Sequence, residues 1–166
     1  MRSPFLIVII VILTLVGCSS AGKGTLSFQS PVGWKVEHQT PGGLHFYTVT
    51  AGTADGGLLM FSQWPPPSGP EEIPGLVQKL ADGFLNQAKQ SSGLTLASHE
   101  YRVEQFTGSQ CQGSYAVFHI RSGGTNVLQT MFMMSVDGSV WNGQFTGPSS
   151  AWIQAIGVLK SIKKNG

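Results

Sequence analysis

The chain has 166 residues with ten basic and eight acidic side chains, so its formal net charge is +2 and charged residues make up 11% of it. This near balance excludes a basic stripe of the kind that binds nucleic acid. The length predicts one domain with one sizeable core.

The first residues have the pattern of an export signal. Met1 and Arg2 are followed by an apolar run over residues 5–13, which is shorter than the roughly 20 residues of a membrane-spanning helix. The run leads into Leu15-Val16-Gly17-Cys18, which resembles a lipobox. This resemblance implies that residues 1–17 are removed, that Cys18 carries lipid, and that residues 18–24 form a short tether.

Alternating apolar and polar residues predict four strands before the first helix, over residues 25–29, 34–37, 44–50 and 57–64. Pro65, Pro66 and Pro67 then begin a stiff connector, because proline cannot continue a strand ladder. Apolar residues at spacings of three and four predict a helix over residues 73–90.

The second half of the chain again favours strands, over residues 99–105, 114–121, 127–136 and 139–145. Asp137-Gly138 is a hairpin signal between the last two. A final helix is expected after Gly147-Pro148, with Ser149 or Ser150 as its cap. Lys160, Lys163 and Lys164 fall on its last turn, where they suit the helix dipole; the alternative is contact with a lipid headgroup or a partner.

These elements predict an α+β fold, an α/β/α sandwich. Its antiparallel sheet has about six to eight strands, with one helix after the fourth strand and one at the C-terminus. The order of elements, with Leu26-Ser27-Phe28 before Pro31 and a closing helix from Trp152 to Ile162, resembles the DcrB-like and PsbP-like fold. The resemblance implies that residues 25–166 form a single PsbP-like domain and that the protein is an accessory or binding protein.

No residue pattern for catalysis or metal binding stands out. Cys111 and His119 are separated by a turn and a strand, and the thiol in its turn is either exposed and reactive or half-buried and inert. The four histidines are scattered, although His38 and His45 can approach across a hairpin. We therefore expect no enzyme, no catalytic residue, no cofactor and no metal.

Aromatic residues near turns are the remaining candidates for contact with a partner, although each is also a plausible core residue. The candidate partner-contact residues are Trp34, Trp64, Pro65, Pro66, Pro67 and Trp141.

The sequence favours a cell-envelope accessory protein held to a membrane by lipid on Cys18, facing the periplasm and acting on an envelope protein. Ser19 and Ser20 lack the acidic residue of inner-membrane retention, which favours the outer membrane. The alternatives are an immunity or inhibitor lipoprotein against a toxin or wall hydrolase, and a carrier of a small apolar ligand.

Overall fold

The first half of the chain folds as a meander of short strands. The computed structural model describes residues 26–53, 56–64, 72–90, 95–97, 101–122 and 124–165. Within these ranges the first strands are β1 (Leu26–Ser27), β2 (Trp34–Gln39), β3 (Phe46–Ala51) and β4 (Leu58–Trp64). A 3-10 turn over Pro41–Gly43 joins β2 to β3. The strands β2, β3 and β4 pair antiparallel in that order.

The first helix, α1, spans Ile73–Gln90 as its periodicity predicts. Its buried residues recur at spacings of three and four and form one stripe that faces the sheet: Ile73, Val77, Ala81, Phe84, Leu85 and Ala88. Burial of this stripe stabilises the helix more than intrinsic propensity does, since Pro74, Gly75 and Gly83 are weak helix formers.

The second half supplies the longest strands. They are β5 (Thr95–Leu96), β6 (Val103–Thr107), β7 (Cys111–Ser122), β8 (Thr125–Val136) and β9 (Ser139–Gly147). The sheet has eight antiparallel strands in the order β2-β3-β4-β9-β8-β7-β5, with β6 also paired to β7. Asp137 and Gly138 have φ of 46° and 76°, which is the left-handed backbone of a tight hairpin turn between β8 and β9.

The second helix, α2, spans Ser149–Ser161 and is followed by a short strand, β10 (Lys163–Lys164). Two expectations are wrong here. The residue that caps α2 is Pro148 and not Ser149 or Ser150, and its side chain forms no capping hydrogen bond. The helix also ends before Lys163 and Lys164, which pair with Ser27 and Leu26 of β1.

Each helix covers one face of the sheet and closes a separate apolar cluster. On β8, Phe132 and Met134 belong to the cluster that includes Ala155 and Leu159 of α2. The alternate residues Met131 and Met133 belong to the cluster of α1. The predicted α+β class is confirmed, with one helix after the fourth strand and one at the C-terminus.

The antiparallel strands define two ends of the sheet. Trp34, Ala51, Leu58 and Gly147 lie at the end where α2 begins, which we call the α2-start end. Gln39, Trp64 and Ser139 lie at the opposite end, where β1 pairs with β10, and we call it the β10 end. In the part of the chain that the structure describes, neither helix is long and apolar enough to cross a bilayer.

Candidate functional site

A cleft of about 500 Å³ opens at the α2-start end of the sheet. The edge strand β2 and the loops around it form one wall, and the first turns of α2 form the other. The described residues that line it are Val32, Gly33, Trp34, Ala51, Gly52, Thr53, Gly56, Pro148, Ser150, Ala151 and Gln154. None of these residues carries a charge, so the cleft suits an apolar or neutral polar group.

One hydrogen bond joins the two walls. The Trp34 Nε1–H group donates to Gln154 Oε1 over 2.9 Å. Trp34 is half-buried and packs against the cluster beneath α2, so the floor of the cleft is aromatic while its indole nitrogen is satisfied. The bond fixes the distance between the edge strand and the helix at this point.

The helix wall of the cleft presents polar backbone groups at the start of α2. Ser150 belongs to the first turn of α2, where N–H groups have no partners within the helix. The cap residue is a proline, and the first turn carries no acidic side chain. This wall therefore presents a weakly positive helix end beside an apolar floor.

Exposed apolar side chains lie in the lining of the cleft and beside it on β2 and α2. Val32 in its turn is fully exposed, and Ile153 of α2 is 72% exposed. Ile153 lies three residues after Ser150 and so is its neighbour on the helix surface. Val36, which is 42% exposed, shares the face of β2 that Trp34 occupies. Apolar groups left in water around a concave site are typical of a contact surface.

The structure does not bring the candidate partner-contact residues together. Trp34 lines the cleft, but Trp64 lies at the β10 end and packs against the α1 cluster. Five residues of β4 lie between Leu58, beside the cleft end, and Trp64, so the two are about 20 Å apart. Pro65, Pro66 and Pro67 lie outside the described residues, as does Cys18.

Trp141 does not fit the expectation of a rim residue. Its side chain is 1% exposed and lies in the cluster beneath α2, 6.3 Å from the Phe61 ring between centroids. A residue buried to this degree offers no surface to a partner. Its position near the Asp137-Gly138 turn indicated a loop end but not the face of β9 on which it lies.

The sequence interpretation missed three residues of the site. Val32 carried a signal, because an apolar residue between Pro31 and Gly33 in a turn has no strand face to occupy. Gln154 and Ile153 carried none. Their contribution depends on where α2 returns across the sheet, which local periodicity does not specify.

Cys111 is a buried structural thiol. It is 5% exposed and begins β7, and its Sγ donates to the carbonyl oxygen of Leu159 over 3.0 Å. Burial raises the pKa of this thiol, so it stays protonated at neutral pH. His119 lies eight residues further along the same strand, about 26 Å away, so the two cannot form a catalytic pair.

The two histidines that face each other across the β2–β3 hairpin do meet. His38 Nε2 and His45 Nδ1 are 2.9 Å apart, and the two rings differ by 7° in plane. Their centroids are 5.2 Å apart, which is the length of that contact plus both ring radii, so the rings meet edge to edge. His38 also stacks on Tyr47 with centroids 4.4 Å apart.

Among the described residues, no third side chain joins this histidine pair to complete a metal site. Among those residues no group of three or more His, Cys, Asp or Glu side chains converges. Burial, and then the charge of His45, lower the pKa of His38.

Two carboxylates accept hydrogen bonds from tyrosines and do not form an acid–base pair with each other. Glu104 accepts a hydrogen bond from Tyr115, and Asp82 accepts one from Tyr101. Burial, with the nearby carboxylate adding to it, raises the pKa of each phenol to about 12. These contacts tie β6 to β7 and the start of β6 to α1.

Comparisons with known proteins show the fold alone. No family model and no curated protein sequence matches the chain. One similar solved structure is that of LpqN, a protein involved in cell envelope biogenesis of Mycobacterium tuberculosis. It is 12% identical with a TM-score of 0.50, over 87% of this chain and 86% of that one.

The second similar structure is that of cyanobacterial PsbP (CyanoP) from Synechocystis sp. PCC 6803. It is 14% identical with a TM-score of 0.53, over 91% of this chain and 99% of that one. This likeness supports the expected PsbP-like fold. The DcrB-like part of the resemblance and the lipid on Cys18 stay predictions.

Proposed function

We propose that this protein is a lipid-anchored accessory protein of the cell envelope that contacts another protein through the cleft and catalyses no reaction. The observation that carries the proposal is the set of exposed apolar side chains around the cleft, namely Val32, Val36 and Ile153. Leaving these groups in water has no benefit for folding. Their burial against a partner is favourable at roughly 25 cal/mol per Å².

The envelope location rests on two supports. The lipobox-like Leu15-Val16-Gly17-Cys18 directs the chain to a membrane by lipid on Cys18. The similar structure of LpqN belongs to a protein involved in cell envelope biogenesis. We infer that the domain faces the periplasm, and Ser19 and Ser20 favour the outer membrane over the inner one.

The anchor is tested by metabolic labelling with a palmitate analogue. The wild-type protein takes the label and Cys18→Ser does not. Equal labelling of both proteins would remove the anchor from the proposal, and the other cysteine, Cys111, is buried and serves as an internal control.

Contact at the cleft is tested by site-specific photo-crosslinking in membranes. A benzophenone amino acid at Val32 should give one dominant crosslinked protein, identified by mass spectrometry. The matched control places the same amino acid at Asn86, an exposed residue of α1 in the opposite layer. The same product from both positions, or none from Val32, would contradict contact at the cleft.

A carrier of a small apolar ligand is the second candidate, because about 500 Å³ lies within the usual range of ligand sites. Native mass spectrometry of the protein extracted from membranes separates the two. A carrier retains a small-molecule adduct that Trp34→Ala loses. In the same crosslinking experiment, a toxin or wall hydrolase as the product would support the immunity or inhibitor alternative.

A further inference from the structure

We propose that the β10 end of the domain docks on an anionic phospholipid surface through Lys160, Lys163 and Lys164. The proposal rests on the lipid anchor of the proposed function and adds the orientation in which the anchored domain lies. It names the face that meets the membrane, and it leaves the cleft at the other end of the sheet facing away.

The path of the chain identifies this end. Seven residues separate Cys18 from Leu26, so a fully extended connection spans at most about 29 Å. Leu26 lies at the β10 end, because it pairs with Lys164 and its N–H donates to the Tyr47 hydroxyl over 2.9 Å. A domain tethered at this corner can bring the β10 end to the headgroups more readily than the α2-start end.

The lysines at this end lack the structural role that their sequence positions indicated. A cation on the last turn of a helix is stabilised by the helix dipole. That reason applies to Lys160 but not to Lys163 or Lys164, because α2 ends at Ser161. Both lysines lie in β10, where their side chains are exposed beside the first described residues of the chain.

The charge of this face is positive. Lys164 forms an ion pair of 2.6 Å with Asp137, while the side chains of Lys160 and Lys163 extend into solvent. Among the described residues of the β10 end, Asp137 and Glu72, which directly precedes α1, are carboxylates that partly offset these three cations. His38 and His45 lie on the same end through the Tyr47 contact.

The attraction between the lysines and the lipid phosphates has a shorter range than the maximum length of the connection. Exposed charges act over about 8 Å at physiological ionic strength, so lysines contribute only when they approach the lipid phosphates. The connection allows that approach without requiring it. A neutral bilayer should therefore leave the domain free to reorient, whereas an anionic bilayer should hold the β10 end against the headgroups.

The test uses the full acylated chain in vesicles of phosphatidylcholine alone or mixed with phosphatidylglycerol. A fluorophore on Gln39→Cys reports on the β10 end, and one on Asn126→Cys reports on the opposite end. Brominated lipids quench a fluorophore that lies close to them. We expect stronger quenching at residue 39 when phosphatidylglycerol is present, no such increase at residue 126, and loss of the difference at high salt.

Substitution of the lysines completes the test. The triple variant Lys160→Gln, Lys163→Gln and Lys164→Gln should lose the dependence on phosphatidylglycerol, with about a fivefold decrease in the docked population for each lysine. The control variant Lys79→Gln, Lys89→Gln and Arg121→Gln removes the same charge elsewhere and should keep it. Equal quenching in both lipids, or equal loss in both variants, would overturn the proposal.

Failure of the anchor is distinguishable from failure of the docking face. The intact mass of the purified protein reports whether acyl chains are present before the vesicles are made. If they are absent, the anchor is wrong. Sedimentation of the chain with the two kinds of vesicle then tests the face itself: a preference for phosphatidylglycerol that only the β10 lysine variant loses supports it, and no preference overturns it.

Discussion

Trp34 and Gln154 form a hydrogen bond of 2.9 Å between residues 120 positions apart in the chain. This bond is where the edge strand β2 and the helix α2 meet across the floor of the cleft. It joins an edge strand to the other wall of the cleft.

The coupling between these two residues is measurable by a double-mutant cycle. Trp34→Phe keeps an aromatic ring and removes the donor, while Gln154→Ala removes the acceptor at an exposed helix position. We expect a coupling of about 0.5–1 kcal/mol in the free energy of unfolding by urea, at the lower end for hydrogen bonds because both side chains are partly solvated. Strictly additive effects would show that the bond contributes nothing in solution.

The buried thiol of Cys111 predicts slow alkylation in the folded state. Its hydrogen bond to Leu159 and its raised pKa leave little thiolate, so iodoacetamide should react much faster in urea than in the native protein. Equal rates in the two states would contradict the burial.

The raised pKa of Cys111 lowers the stability of the fold at alkaline pH. The folded state holds the Cys111 proton more tightly than the unfolded state does, so the free energy of unfolding falls as pH rises above 9.0. Cys111→Ala should lower stability at neutral pH by about 1 kcal/mol but flatten this part of the decline. The tyrosines, whose pKa is near 12, add their own decline at higher pH.

The His38–His45 pair predicts an opposite effect at acid pH. The pKa of His38 is lowered in the folded state, so the unfolded chain binds more protons and stability falls as pH drops through 6.5. His38→Phe keeps a ring on Tyr47 without a titrating group and should reduce the decline between pH 7 and pH 5 in thermal unfolding. Val36→Phe on the same strand is the matched control, and a decline unchanged in His38→Phe would contradict the argument.

Gly143 is required by close packing on β9. A methyl group there would overlap the Met60 carbonyl oxygen and the Phe132 ring, both in the interior. Gly143→Ala should therefore destabilise the fold by about 1–3 kcal/mol. At Gly157 of α2 nothing lies near an added methyl group. Because alanine is a better helix former than glycine, Gly157→Ala should stabilise the fold by up to about 1 kcal/mol. Equal effects in chemical unfolding would refute this packing argument.

Local patterns predicted most of the elements because each pattern reflects one exposed and one buried side. The stripe on α1 is of this kind, and the helix is confirmed. Both sides of β8 are buried, one in the cluster of each helix, and its run of apolar residues predicted the strand. The Asp137-Gly138 turn was predictable because type I′ geometry requires left-handed residues.

Features that depend on pairing between distant segments were not predictable in this way. Strand β10 forms because Lys163 and Lys164 pair with β1, which lies near the other end of the chain. The local sequence does not distinguish these two lysines from the last turn of a helix. For the same reason, Trp34 and Trp141 were both predicted as partner-contact residues because both lie near turns. Trp34 lines the cleft, whereas Trp141 is buried.

Binding of the partner by variants at the rim of the cleft measures whether the cleft is a contact surface. Once crosslinking through Val32 identifies the partner, its affinity is measured for the wild type and for Val32→Asp combined with Ile153→Asp. Both positions are exposed, so stability should change by less than about 0.5 kcal/mol each. We predict at least a tenfold loss of affinity, about 1.4 kcal/mol, in a fully folded variant. Unchanged affinity would show that the partner does not bind at the cleft.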